Sequence, residues 1–250
     1  MSVEALKKHS QNIMNNFNKA AETYDANCCV QKEIGKKLIS ILKQYKPNAR
    51  NIIDLGCGTG LITKELATCY HGYQQFYALD IADKLLEKAC KTLSQFEVTI
   101  LKTNFENFRL STIYFDLIYS NMAIHWSSSL EVTLRNIYDN LSIEGVFAFS
   151  IPVSGTFSEL KFNYILPLYS FKAVKHSLTK CGFRVLYANN YDEIIEFPSF
   201  IAALKSIKLV GANYSGSRII DLTKLLSHRK STNKNFTLTY KIGMFVVCQL

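Results

Sequence analysis

Asp54-Leu-Gly56-Cys-Gly58-Thr-Gly60 sets three glycines at alternate positions behind an acid, and a second acid, Asp80, closes the next apolar run. Glycines so spaced let the chain turn sharply and let a ligand lie against bare backbone. A strand-to-helix turn that binds nothing uses glycine in the same way, so three further details decide the chemistry. No Lys-Ser/Thr pair ends the turn, which removes the phosphate-cradling P-loop. Asp54 precedes the first glycine by two, a placement better suited to a cation than to a pyrophosphate. Asp80 can accept both hydroxyls of a ribose, with helix capping as its structural alternative. A ribose-bearing cation without phosphate describes S-adenosylmethionine, which carries a sulfonium and an amino group. A dinucleotide competes for the turn, but the spacing is G-x-G-x-G and not G-x-G-x-x-G.

Such residues must be held at the ends of strands, and the chain supplies them. Apolar runs at Asn51–Leu55, Phe76–Leu79, Val98–Leu101, Phe115–Tyr119, Gly145–Ile151, Arg184–Tyr187 and Phe236–Cys248 read as seven strands. Between them, helical periodicity marks about 4–23, the stretch from Ile34 to Tyr45 ended by Pro47, the segment after Gly60, and about 83–94, 129–141 and 170–181. Two later helices are expected near 198–210 and 217–228. Strand and helix in turn, with little alternation inside each strand, indicate a doubly wound α/β domain whose parallel sheet is covered on both faces. The expected architecture is the Rossmann-like, seven-stranded sheet of class I methyltransferases, with a helical cap inserted before the last strand. One domain spans 1–250, with an N-terminal helical lid over 1–46 and a basic cap over about 158–235.

Two hundred and fifty residues, 48% of them hydrophobic, suffice for a real core and exclude a disordered or fibrous chain. No apolar run approaches a membrane span, and Met1–His9 has no apolar signal core, so a cytoplasmic protein is expected. Seven cysteines without a C-x-x-C pair argue for reduced thiols and against a zinc site; no metal is expected. The charge of +9 is uneven. Residues 1–157 carry 16 Lys/Arg against 15 Asp/Glu, whereas 158–250 carry 13 against 5. That second half is either a merely solvated surface or a docking face for an anionic macromolecule.

The ordered set Asp54–Gly60, Asp80-Ile81, Asn104-Phe105-Glu106 and Phe115-Asp116-Leu-Ile-Tyr-Ser120-Asn121-Met-Ala-Ile-His125-Trp126 resembles one methyltransferase family. So does the N-terminal run Phe17-Asn-Lys-Ala20-Ala21-Glu-Thr-Tyr24-Asp25, followed by Gln31. Gly155–Leu160, Ala203–Ala212 and Leu238-Thr239-Tyr240 extend the likeness over nearly the whole chain. The family is BioC, the malonyl-acyl-carrier-protein O-methyltransferases of biotin synthesis. The resemblance implies that S-adenosylmethionine methylates the free carboxylate of a malonyl thioester carried by an acidic acyl carrier protein. A carboxylate is already ionised at neutral pH, so alignment and exclusion of water, not a general base, would carry the reaction.

On this resemblance Asp54, Gly56, Gly58 and Gly60 shape the methionine and ribose end of the cofactor site. Asp80 takes the ribose hydroxyls, Ile81 packs on adenine, and Asn104 and Phe105 border the adenine edge. Ser120 and Asn121 are expected where the transferable methyl points, and Tyr24 closes the site as a lid. His125 is a candidate catalytic group and Trp126 a candidate substrate contact; a core corner is the alternative for both. Lys205 and Lys208 are the candidate partners of the substrate carboxylate, since a charge in a water-poor pocket needs one, with solvated surface lysines as the alternative. Asn104 stands where the family commonly has Asp, and His125 where it commonly has Gln. Rival expectations are a nucleic-acid methyltransferase, disfavoured because Ser120-Asn-Met-Ala replaces the Asn/Asp-Pro-Pro-aromatic motif, a hydroxylase-like protein-modifying relative, and a cofactor-binding protein without catalysis. No nucleic-acid or membrane partner is expected.

Overall fold

The apolar runs form β1 (Asn51–Leu55), β2 (Gln75–Asp80), β3 (Val98–Lys102), β4 (Phe115–Asn121), β5 (Leu141–Pro152), β6 (Phe183–Phe197) and β7 (Phe236–Gln249). They make one sheet of order β3-β2-β1-β4-β5-β7-β6. Helices α1 (Val3–Asn27), α2 (Cys29–Tyr45), α3 (Leu61–Cys69), α4 (Asp83–Thr92), α5 (Leu130–Asn140), α6 (Phe171–Lys180) and α7 (Phe200–Leu209) surround it. The computed structural model describes residues 3–109, 113–160, 168–212, 214–215, 218–219 and 235–249.

The sheet is mixed, not wholly parallel as expected: β1 to β5 pair in parallel, and β7 runs antiparallel to both β5 and β6. A strand buried on both faces is apolar throughout in either direction, so pattern alone could not show the reversal. Ile53, Ile118, Phe147 and Phe149 point to one face, where Leu134, Ile137, Val174 and Leu178 of α5 and α6 cover them. Ile52, Leu117, Tyr119 and Ala148 point to the other, beneath Ile34, Leu38 and Leu42 of α2 and Leu66 of α3.

Beyond Pro152, which pairs with Ile242, β6 and β7 continue alone as a two-stranded arm in which Asp192–Phe197 pair with Phe236–Lys241. The chain after β5 runs beside this arm, with the Val153 and Phe157 amides donating to the Lys241 and Thr239 carbonyls at 2.8 Å each. Leu160, Ala203, Leu204, Ile207 and Leu238 form a small separate core there, so α7 sits on the arm. Within the span expected as cap, α6 and the first half of β6 belong to the sheet layer instead. The helix expected near 217–228 lies outside the described residues except for Arg218–Ile219, which pair with Tyr214–Ser215 as an antiparallel ladder. α1 lies across α4 and α7 at the carboxyl edge of the sheet, where doubly wound folds bind ligands. No described helix is long and apolar enough to cross a membrane.

Candidate active site

β1 ends in the glycine turn, whose Gly56 and Cys57 amides both donate to the Leu79 carbonyl of β2, at 2.8 and 3.0 Å. The glycines differ in purpose. At Gly56 (φ +82) an added Cβ would collide with the Ala123 Cβ, so close packing excludes any side chain. At Gly58 (φ +57) the same atom would meet only Tyr24, at 3.9 Å, which leaves a cradle open for a ligand. Gly60 is the N-cap of α3.

Asp54 is buried, and the Thr63 hydroxyl donates to its Oδ2 at 2.6 Å. Burial, helped by the nearby Asp80 charge and opposed by the Thr63 hydrogen bond, pushes its carboxyl up to about 7. Asp54 lines a small cavity with Tyr24, Cys28, Gln31, Gly56 and Asn121. Asp80, the last residue of β2, accepts the Gly58 amide on Oδ2 and the Ala82 amide on Oδ1, both at 2.9 Å. The carboxylate has about four lone-pair sites, so it keeps capacity for further donors even with the Ile81 amide also close by. Its burial raises its pKa against these backbone donors.

Ile81 and Asn104 line a groove closed on one side by Leu6, Ser10 and Met14 of α1. The Asn104 side chain is already engaged: its Oδ1 accepts the Glu106 amide at 2.9 Å, capping a short turn, and its Nδ2 reaches the Ser10 hydroxyl and Glu106 Oε2 at 3.2 Å each. Phe105 does not line the groove. It packs on Ile13 and Trp126.

A second cavity, mostly apolar, is lined among others by Phe17, Met122, Trp126, Phe157, Leu160 and Tyr240. Tyr24 and Gln31 line both cavities, so these two residues stand at their junction. Burial raises the Tyr24 and Tyr240 hydroxyls far above their usual range, and both stay protonated. His125 also lines the apolar cavity; its Nδ1 is buried without a described partner, and burial lowers its pKa to about 3. His125 is therefore a neutral imidazole at any physiological pH. Trp126 is buried beside it and meets Phe17 edge-on at 5.6 Å.

Several expected residues fall elsewhere. The Ser120 hydroxyl is fully buried, donates to the Leu55 carbonyl at 2.8 Å and reaches neither cavity. Along β4, Ser120 shares the face of Ile118, so its hydroxyl is directed into the sheet interior, where it ties β4 to β1. Asn121 does reach the small cavity, with its amide donating to the Gln31 carbonyl and its Oδ1 accepting the Ser150 hydroxyl, both at 2.8 Å. Lys205 and Lys208 are exposed and line neither cavity, because Ala203, Leu204 and Ile207 take the buried face of α7. Among the described residues no Lys or Arg lines the apolar cavity.

Reasoning from sequence did not find Thr59, Thr63, Met122, Thr156 or Phe157. Thr59 donates to Asp25 Oδ1 at 2.6 Å, fastening the end of α1 to the glycine turn. Thr59 and Thr63 lie in the turn and in the first turn of α3, a position that could have marked them. Met122 takes φ +54, a strained backbone that only coordinates reveal.

S-adenosylmethionine fits these residues: Gly58 leaves a cradle, Asp54 offers a buried carboxylate for an ammonium, and Asp80 has lone pairs to spare for ribose. Sheet order, glycine turn and paired acids define a class I methyltransferase dependent on S-adenosylmethionine. Residues 52–145 match the family model described as a methyltransferase domain. A malonyl-acyl-carrier protein O-methyltransferase 2 from Coxiella burnetii is 35% identical over 98% of this chain and 98% of its own length. The chain belongs to the malonyl-acyl-carrier-protein O-methyltransferase family. Two solved structures share the fold at low identity. One is the YcgJ protein of Bacillus subtilis, with TM-score 0.63, 13% identity, and coverage of 86% of this chain and 98% of that one. The other is the N-methyltransferase NodS from Bradyrhizobium japonicum in complex with S-adenosyl-L-homocysteine, with TM-score 0.58, 12% identity, and coverage of 87% and 86%.

Proposed function

We propose that this enzyme methylates the free carboxylate of a malonyl thioester on acyl carrier protein, giving the methyl ester that begins pimeloyl synthesis for biotin. The observation that carries the reading is the junction at Tyr24 and Gln31, where a small acid-bearing cavity meets an apolar one. S-adenosylmethionine supplies an electrophilic methyl group on a sulfonium. Asp54 holds the ammonium, Asp80 the ribose hydroxyls, and Ile81 and Asn104 flank the adenine, so the methyl end is directed toward the junction. Tyr24 closes over Gly58 and separates the two ligands. Phe17, Met122, Trp126 and Phe157 keep water from the nucleophile, so the carboxylate oxygen loses solvation that would compete with attack. No residue has to remove a proton, which agrees with a neutral His125 and two tyrosines held protonated.

The exposed lysines of α6 and α7 suit an acidic carrier protein, with Lys205 and Lys208 acting on the surface and not inside the pocket. Seven unpaired cysteines suit the reducing cytoplasm. The test is to incubate the protein with S-adenosylmethionine and malonyl-acyl carrier protein, then weigh the carrier protein intact. We expect the mass of one added methyl on malonyl-carrier protein and none on acetyl-carrier protein. Cofactor binding without any gain would reject the reading in favour of a non-methylating relative.

A further inference from the structure

A carboxylate entering the apolar cavity loses water and, among the described residues, meets no lysine or arginine in the lining. Among the described residues, the acceptor cavity meets the one that holds Asp54 and the glycine turn at one junction, which is where the carboxylate can reach the cofactor; Lys32 lines the small cavity, but its Nζ is already on the Asp25 carbonyl at 2.6 Å. Two side chains, Tyr24 and Gln31, are common to both linings. The Tyr24 hydroxyl lies over Gly58, on the cofactor side.

Gln31 is differently placed. Its backbone carbonyl accepts the Asn121 amide at 2.8 Å, which locks this turn of α2 against the end of β4. Its side-chain amide makes no hydrogen bond to any described residue. A half-buried amide with two N–H donors and no partner, facing a cavity whose expected ligand is an anion, is a site waiting for an acceptor.

Resting on the proposed carboxyl methylation, we propose that Gln31 is the specificity residue for the substrate, donating a side-chain N–H to one carboxylate oxygen. The other oxygen is left to form the bond to the methyl carbon as the carbon–sulfur bond breaks, its electron pair returning to sulfur so that neutral S-adenosylhomocysteine leaves. A neutral donor suits this step. An ammonium or guanidinium in the same place would stand beside the sulfonium and would hold the anion more tightly than the neutral ester formed from it. An amide releases the charge as the ester forms, so ground-state binding is modest and alignment is kept.

The anchoring bond of Gln31 uses its backbone, so the side chain can be changed without releasing α2. Gln31→Leu and the isosteric Gln31→Glu are compared with wild type by thermal melting, by calorimetric affinity for S-adenosylmethionine and by kcat and KM for malonyl-acyl carrier protein. We expect melting temperatures close to wild type in both variants and cofactor affinity close to wild type in Gln31→Leu, whereas Gln31→Glu, which sets an anion beside the sulfonium, should bind the cofactor at least as tightly. In Gln31→Leu, kcat/KM should fall about ten- to a hundredfold, the loss of one hydrogen bond to a charged group. Gln31→Glu should fall further, because it sets a carboxylate against a carboxylate. Unchanged kcat/KM in Gln31→Leu overturns the proposal, as does a fall matched by equal loss of cofactor affinity, which would place Gln31 in the cofactor site. Wild-type protein that does not methylate malonyl-acyl carrier protein would instead reject the proposed function, so the two failures are separable.

Discussion

An acid shut away from water beside a single threonine hydroxyl holds its proton far more tightly than one in solution, and Asp54 is such an acid. Its carboxyl lies near 7 in the folded chain against 3.8 when unperturbed. Between those values the folded state binds the extra proton, so the Asp54 contribution to stability is greatest at low pH and is lost as pH rises toward 7. An ammonium ligand demands the ionised form, so below pH 7 its binding must expel the proton. We expect affinity for S-adenosylmethionine to fall about tenfold between pH 8 and pH 6. Titration calorimetry at pH 6, in buffers of different ionisation enthalpy, should show close to one proton released, and at pH 8 almost none. Asp54→Asn should abolish the release; its persistence would place the titrating group elsewhere. The sequence made Asp54 and Asp80 legible because an acid at a strand end beside glycines has few other uses. It could not show that Thr63 would be the hydroxyl to reach Asp54, since that needs the helix after the turn to be built.

At the scale of elements, the question is how α1 can lie over the cofactor site and still admit a ligand. It is tied down along its length. The Trp126 carbonyl meets His9, the Lys84 amide donates to Asn18 at 3.0 Å, and Thr23 donates to the Leu209 carbonyl at 2.8 Å. At the far end Thr59 donates to Asp25, while Lys32 reaches the Asp25 carbonyl at 2.6 Å. The Thr59–Asp25 bond joins the end of α1 to the glycine turn directly and must break if the two part. Thr59→Val keeps the shape and deletes the donor, removing about 1–3 kcal/mol from the closed form. We expect stopped-flow dissociation of S-adenosylmethionine to quicken by about tenfold, with only a small drop in melting temperature. An unchanged rate would mean that ligand enters without this end of α1 moving.

The elements themselves were largely legible, since each helix carried its period and each strand an unbroken apolar run. The structure places some expected side chains away from the cavities, and there the chemistry pointed one way and the helix or strand face another. Lys205 and Lys208 were drawn into the pocket by the need for a cation, although Ala203, Leu204 and Ile207 already marked the opposite face of α7 as buried. Ser120 was drawn to the methyl group by its hydroxyl, although its place in β4, two residues from Ile118, turned it inward. The meeting of Tyr24 and Gln31 was hidden for another reason. It depends on the break between α1 and α2 at Cys28, and no periodicity fixes the angle of such a break.

For the whole molecule, exposed positive charge and the cavity linings are carried by different side chains, even where one helix, α7, supplies both. The cavities lie under α1 and are neutral in their apolar part, while the second half of the chain carries 13 Lys/Arg against 5 Asp/Glu. Lys172 and Lys175 on α6 and Lys205 and Lys208 on α7 are exposed, with no described ion pair. A thioester presented by an acidic carrier would be steered by that surface and then bound in a pocket that feels little of it. Salt separates the two effects, since the screening length shrinks from about 10 Å at 0.1 M to about 3 Å at 1 M. Between 50 and 500 mM salt we expect KM for malonyl-acyl carrier protein to rise about tenfold. Affinity for S-adenosylmethionine should change by less than about twofold, because the groups that grip it are buried. Charge reversal at Lys205→Glu with Lys208→Glu should reproduce the loss for the carrier protein at low salt. It should leave turnover of malonyl-N-acetylcysteamine, which has no protein to dock, as in wild type. Equal loss on both substrates would return these lysines to the pocket, and no loss on either would make the basic half a solvated surface and nothing more.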